Sequence, residues 1–347
     1  MEKDITQNAY FSDRERFADL INGYVGQGER LISPQDLQSV DPRSGMYKIV
    51  GFEGAPDALQ KEKEQGKKVR PKIRYRDIKM CAAFGKNVLV IGLENQETVD
   101  YSLPVRVLSS DAGDYGQQVS GIRKRILSMK NKKGLRPGEY LYGFKKNSRL
   151  FPVMTFVIYY GEEEWDGARD LHSLLRLTDI PEKLQKLLSN HSVNLIEVRK
   201  LEDTSVFKTD VRQVFDFIRY SNDKEKLKEL VENDPAYQNL AEDAYDVIVQ
   251  YANAGELIKE KEAVKGKDGR VNMCRALTEL IADGRTQGRN EGIAIGESRG
   301  IAIGVSRGEA RLNNLNQHLI NENRFDDLKR AVNDSKYRKK LFAEFNL

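Results

Sequence analysis

The chain has 347 residues, 39% hydrophobic and 32% charged, with a formal net charge of +4. This balance describes a globular protein with an extensive charged surface, and it is too mildly basic to declare a nucleic-acid binder by itself. Two distant cysteines, Cys81 and Cys274, exclude a disulfide framework and fit a reducing cytoplasm, no apolar run of roughly 18 residues predicts a membrane span, the first residues show no apolar leader core, and His172, His191 and His318 lack zinc spacing.

In chain order, residues 12–26 predict a first helix. Ser12 and Glu15 form a capping-box pattern, Phe17, Leu20, Ile21 and Tyr24 share an apolar face, and Glu15, Asp19 and Asn22 fall opposite. Pro34-Gln-Asp-Leu marks a turn, and the polar segment 53–68 reads as an exposed loop. Two strands follow, 72–79 and 88–96, joined by a turn at Phe84-Gly85-Lys86-Asn87. A helix is expected over 115–126, then a basic loop over 130–136. The apolar, β-branched run Leu150–Tyr160 predicts a strand buried on both faces, and Val193–Val198 a shorter one.

From about 204 the period becomes helical, with Val211, Val214, Phe215 and Ile218 and later Leu227, Leu230 and Val231 in step. Residues 272–283 form another amphipathic helix. Glycines then recur every fourth position from Gly284 to Gly308, around the direct repeat IAIGESRG and IAIGVSRG. Each interior glycine costs a helix about 1 kcal/mol, yet such a stripe lets two backbones approach closely. The ladder is therefore either a flexible linker or a segment for homo-oligomeric assembly. A helical tail closes the chain over 324–345. The organisation expected is a core over 1–203, a helical segment over 204–283, the ladder over 284–312 and a tail over 313–347.

The chemistry concentrates on the hairpin. Its strands carry Asp77 and Glu94, and two carboxylates in close register repel unless a cation lies between them. A hard divalent ion is the usual answer. Glu94 ends the apolar run Val88–Leu93, where a carboxylate is costly to bury unpaired, and Gln96 shares its face.

These residues carry a resemblance. Arg76-Asp77-Ile78-Lys79 on one strand and Glu94-Asn95-Gln96 on the next resemble the PD-(D/E)xK nuclease pattern, in the branch of recombination-promoting nucleases and transposases where glutamine replaces lysine. Arg14–Asn22, Leu103-Pro-Val-Arg106, Asp111, Tyr115, Gln118, Phe151–Gly167 and Leu171–Leu175 resemble further segments of that group in the same order, as does the C-terminal ladder.

The resemblance implies an α/β fold with a restriction-endonuclease-like core, a mixed central sheet flanked by helices, and an α-helical C-terminal extension. It implies Mg2+-dependent DNA cleavage, with Mn2+ or Ca2+ as alternatives, in a bacterial role in recombination, mobile elements or phage defence. Asp77, Glu94 and the backbone carbonyl of Asn95 would hold the metal, Gln96 would hydrogen-bond water or a phosphate oxygen, and Asp19 would add a group from the first helix. Lys72, Arg74, Arg76, Lys79, Arg106, Gln118, Lys130, Lys132 and Lys133 are the expected DNA contacts. Two further readings stay open. Gln96 marks a catalytically degenerate protein that binds DNA or a partner, or the C-terminal ladder is the working part.

Overall fold

A computed structural model describes residues 8–40, 77–129, 134–252 and 254–347. The expected loop over 53–68 and residues 72–76 of the first expected strand lie outside these, as do Lys72, Arg74, Arg76, Lys130, Lys132 and Lys133.

The architecture is α/β, with a five-stranded mixed sheet flanked by helices and a helical C-terminal part. The sheet contains β1 (Leu37–Ser39), β2 (Ile78–Phe84), β3 (Asn87–Gln96), β4 (Val153–Tyr159) and β5 (Asn194–Glu197), in that spatial order. β1, β2 and β3 pair antiparallel, whereas β3–β4 and β4–β5 pair parallel. The hairpin closes on Phe84 opposite Asn87, with Gly85 at φ 60° in the turn. A tight turn fixes pairing for the residues next to it. Among the described residues the first hairpin strand is 78–84, running past the expected end at 79, and Asp77 stands one residue before it.

After a helical turn at residues 8–11 comes α1 (Arg14–Tyr24). Asp13, not Ser12, caps it, accepting the N–H groups of Glu15 and Arg16. Phe17, Leu20 and Ile21 are buried, and Tyr24 meets Phe156 of β4 edge-on at 6.5 Å. Parallel strands need a long crossover, and β3 returns to β4 through α2 (Leu103–Ser128) and α3 (Pro137–Tyr142). α2 extends twelve residues upstream of the expected 115, opening with Leu103-Pro104, where proline is tolerated in the first helical turn. It covers the sheet face opposite α1. Leu103 and Val107 pack there with Val157, Tyr159, Trp165 and Leu195.

After α4 (Glu182–Gln185) and β5 come α5 (Val211–Tyr220), α6 (Lys224–Asn233), α7 (Glu242–Tyr251) and α8 (Leu257–Val264). Arg16 ties α1 to this layer. Its guanidinium bonds both carboxylate oxygens of Asp210, reaches Asp243 and stacks over Tyr10 at 4.1 Å.

The contacts divide the chain into two compact units, Met1–Leu277 and Thr278–Leu347. Residues 204–277 thus fall in the first unit with the sheet. In place of a break at the ladder, α9 runs as a continuous helix over Met273–Asn321, and every residue from 281 to 314 is exposed. The second unit has its own small core, where Leu315 and Leu319 pack with Ala331 of α10 (Phe325–Asn333) and Leu341 of α11 (Ser335–Glu344). No helix among the described residues is long and apolar enough to cross a membrane.

Candidate active site

Side chains alternate along a strand, so Glu94 and Gln96 leave β3 on one face and Asn95 on the other. The pairing of Ile78 with Leu93 carries Asp77 to the level of Glu94. Asp77 Oδ2 accepts the Asn95 N–H at 2.8 Å, replacing a ladder bond at the end of the hairpin. The N–H and C=O of one strand residue point to the same edge. The Asn95 carbonyl is therefore turned toward the Asp77 edge as well.

On the Asn95 face, the Tyr160 hydroxyl donates to Asn95 Oδ1 at 3.3 Å, and the Tyr160 ring stacks on Tyr251 at 4.1 Å. Burial, followed by the nearby Tyr251 and Asp77, holds the Tyr160 phenol well above its ordinary pKa, so it stays a neutral donor. Asn95 Nδ2 is buried without an acceptor.

On the other face, Glu94 is only 7% exposed. Burying a carboxylate demands a compensating cation, and here Arg106 of α2 supplies it. Arg106 Nη2 lies 3.0 Å from Glu94 Oε2 and donates to Gln96 Oε1 at 2.8 Å, while Nη1 reaches Asp100 Oδ2 at 2.7 Å. Gln96 Nε2 donates to the Thr98 carbonyl at 2.7 Å.

This contact is one end of a polar layer between α2 and the sheet. Asp114 pairs with Lys79 at 3.1 Å, Thr155 donates to Asp111 at 2.7 Å, and His191 Nε2 lies 3.2 Å from the same Asp111 carboxylate. Tyr115 accepts the Val153 N–H. Gln118 closes both of its amide atoms on the Phe151 backbone, at 2.7 and 3.1 Å.

Several expected roles change accordingly. Lys79 is 1% exposed and internally paired, so it is not a DNA contact. Gln118 is a backbone clamp and Arg106 an internal ion-pair partner, and neither presents its polar atoms to a duplex. Asp19 sits on the buried side of α1. Its carboxylate accepts the Lys208 N–H, the Thr209 N–H and the Thr209 hydroxyl, all within 2.9 Å. It braces the 208–209 turn instead of joining Asp77 and Glu94.

Sequence reading missed Asp114, Asp100 and Tyr160. A signal existed for Asp114, because Lys79 interrupts the apolar run Ile78–Phe84 and needs an acid on the element that covers it.

Asp77, Glu94 and the Asn95 carbonyl are hard oxygen donors, and Mg2+ characteristically takes one or two carboxylates and fills its remaining positions with water and phosphate. The donor chemistry fits such an ion, with Arg106 as a competing cation on Glu94. Among the described residues no third Asp, Glu, His or Cys completes a metal-holding group. A cavity of about 660 Å³ lies elsewhere, lined by residues such as Lys208, Thr209, Arg212 and Asn239.

Compared with protein-family models, curated proteins and solved structures, the chain finds no match in any of the three. Function must be read from the side chains themselves.

Proposed function

We propose that this chain is a divalent-metal-dependent DNA phosphodiesterase of endonucleolytic type, with a restriction-endonuclease-like core. The observation that carries the reading is the open end of the β2–β3 hairpin. There Asp77 precedes one strand at the level of Glu94 on the other, and the Asp77–Asn95 bond turns the Asn95 carbonyl to the same edge. A hairpin followed by a helical crossover to a parallel strand is the scaffold that this reading requires, and β2, β3, α2 and β4 supply it in that order.

When bound, a divalent ion at these oxygens would polarise a phosphate oxygen and lower the pKa of a water. The chain's own part is to hold Asp77 by the Asn95 N–H, hold Glu94 and Gln96 by Arg106, and keep Tyr160 protonated beside Asn95. The exposed Arg123 and Lys124 of α2 are suited to backbone phosphates, giving salt-dependent affinity with little sequence preference. The bacterial recombination or defence role, Mg2+, cytoplasmic location and self-association through the glycine ladder belong to the same reading.

The test is cleavage of supercoiled plasmid with Mg2+ or Mn2+ by wild type, Asp77→Ala and Glu94→Ala. Nicking or linearisation by wild type, abolished in both variants with DNA binding retained, is the expected result. A second reading is favoured by one specific contact, the Arg106 guanidinium on Glu94 and Gln96, which already satisfies the buried carboxylate without metal. Under that reading the protein binds DNA or a partner without cutting, and wild type leaves plasmid intact with either metal.

A further inference from the structure

We propose that Arg106 is a positioning residue that keeps the metal affinity of this site low until a nucleic-acid phosphate arrives. The inference rests on the phosphodiesterase reading. Arg106 spans two sets of partners. One end of its fork holds Asp100 at 2.7 Å, and the other holds Glu94 at 3.0 Å and Gln96 at 2.8 Å. The side chains of Arg106 and Glu94 are 17% and 9% exposed, so solvent screens their charges weakly. Asp100 anchors the far end, and Arg106 cannot swing away without giving up a second ion pair. It also lies near the N-terminus of α2, where the helix dipole adds positive potential.

A divalent ion bound through Glu94 must therefore sit beside a fixed guanidinium in a poorly screened place, and the repulsion is large there. A phosphate bound at the ion adds a negative charge beside both cations and offsets their local repulsion on Glu94. Metal and nucleic acid are then coupled ligands. Coupling of this kind is reciprocal, so each tightens the other by the same factor.

The measurement is calorimetric titration of the full chain with Mn2+, alone and with a short duplex bearing non-hydrolysable linkages. Wild type should bind Mn2+ about tenfold tighter with the duplex present. Arg106→Gln, which removes the charge and keeps hydrogen-bonding capacity, should bind Mn2+ alone about tenfold tighter than wild type and gain little from the duplex. Arg106→Lys keeps the charge and should stay within about threefold of wild type. Asp100→Asn leaves the guanidinium to Glu94 and should weaken Mn2+ binding, an opposite sign that loss of folding in Arg106→Gln would not obscure.

Equal or weaker Mn2+ affinity in a folded Arg106→Gln, or tighter affinity in Asp100→Asn, overturns the proposal while leaving the phosphodiesterase reading intact if wild type still cleaves. A wild type that binds no Mn2+ with or without duplex overturns both.

Discussion

Lys79 and Asp114 form an ion pair inside the first unit, and its removal should be costly in a defined way. Lys79 is 1% exposed and Asp114 5%, with Nζ and Oδ1 3.1 Å apart. Asp114→Leu deprives a buried ammonium of this counter-ion, and Lys79→Met does the same to a buried carboxylate. Each should cost about 3–5 kcal/mol, because a charge that has lost its 3.1 Å partner stays in a low-dielectric interior. That is a large share of a typical domain stability of about 5–15 kcal/mol. Replacing both, as Lys79→Met with Asp114→Leu, removes the attraction and both desolvation penalties together, and should be neutral or stabilise by about 1–4 kcal/mol. The coupling between the two substitutions is thus at least several kcal/mol. Urea unfolding followed by Trp165 emission reads it directly. Trp165 is the one tryptophan of the chain, 4% exposed, and packs on Tyr159 beneath α2. With a urea slope of about 1–3 kcal/mol per molar, each single variant should lower the midpoint by about 1 M or more. Single costs below about 1 kcal/mol, or costs that add in the double variant, would refute the internal pair and return Lys79 to the surface.

Other consequences are open to simpler assays. Asp19→Ala should lower stability by about 2–3 kcal/mol through lost charge-assisted bonds to the 208–209 turn, while plasmid cleavage per folded molecule stays unchanged; loss of cleavage at full stability would make Asp19 a site residue after all. Gly23→Ala would place a Cβ 2.3 Å from the Phe207 ring; an overpacking cost of about 1–3 kcal/mol in a thermal melt is expected, partly relieved by Phe207→Leu. The Cys81 thiol is buried in β2, and burial pushes its pKa up to about 12; at mildly alkaline pH it stays a thiol, so alkylation read by mass spectrometry should modify Cys274 first and reach Cys81 only in denaturant. Nothing lies within 4 Å of a Cβ added at Gly296 or Gly300. Alanine at each should raise helix stability by about 0.5–1 kcal/mol in circular dichroism of the full chain, and lower helicity with a smaller particle mass in light scattering would instead place that face against a second copy.

Local pattern made much of the fold legible. The apolar run ending at Tyr160 and the segment around Leu195 became β4 and β5, and the period through Val211 and Ile218 became α5. The hairpin was visible from its turn, and β2 runs on through Met80 to Phe84, past the expected end at Lys79. Asp77, Glu94 and Gln96 were legible because a carboxylate closing an apolar strand demands a partner. Their partner was not. Arg106 lies on the same face of α2 as Leu103, Val107, Asp111 and Asp114, and hydropathy reads only the two apolar members of that set.

The sequence by itself determined where strands and helices form and which strand end carries the acids, because those follow from side-chain period and local turn chemistry. The tertiary structure alone decided which charge meets which. Asp19 went to the 208–209 turn, Lys79 to Asp114 and Glu94 to Arg106. Electrostatic partners are chosen by distances of about 3 Å in space, between residues up to 227 positions apart in the chain, as Arg16 and Asp243 are, and no local pattern encodes that distance.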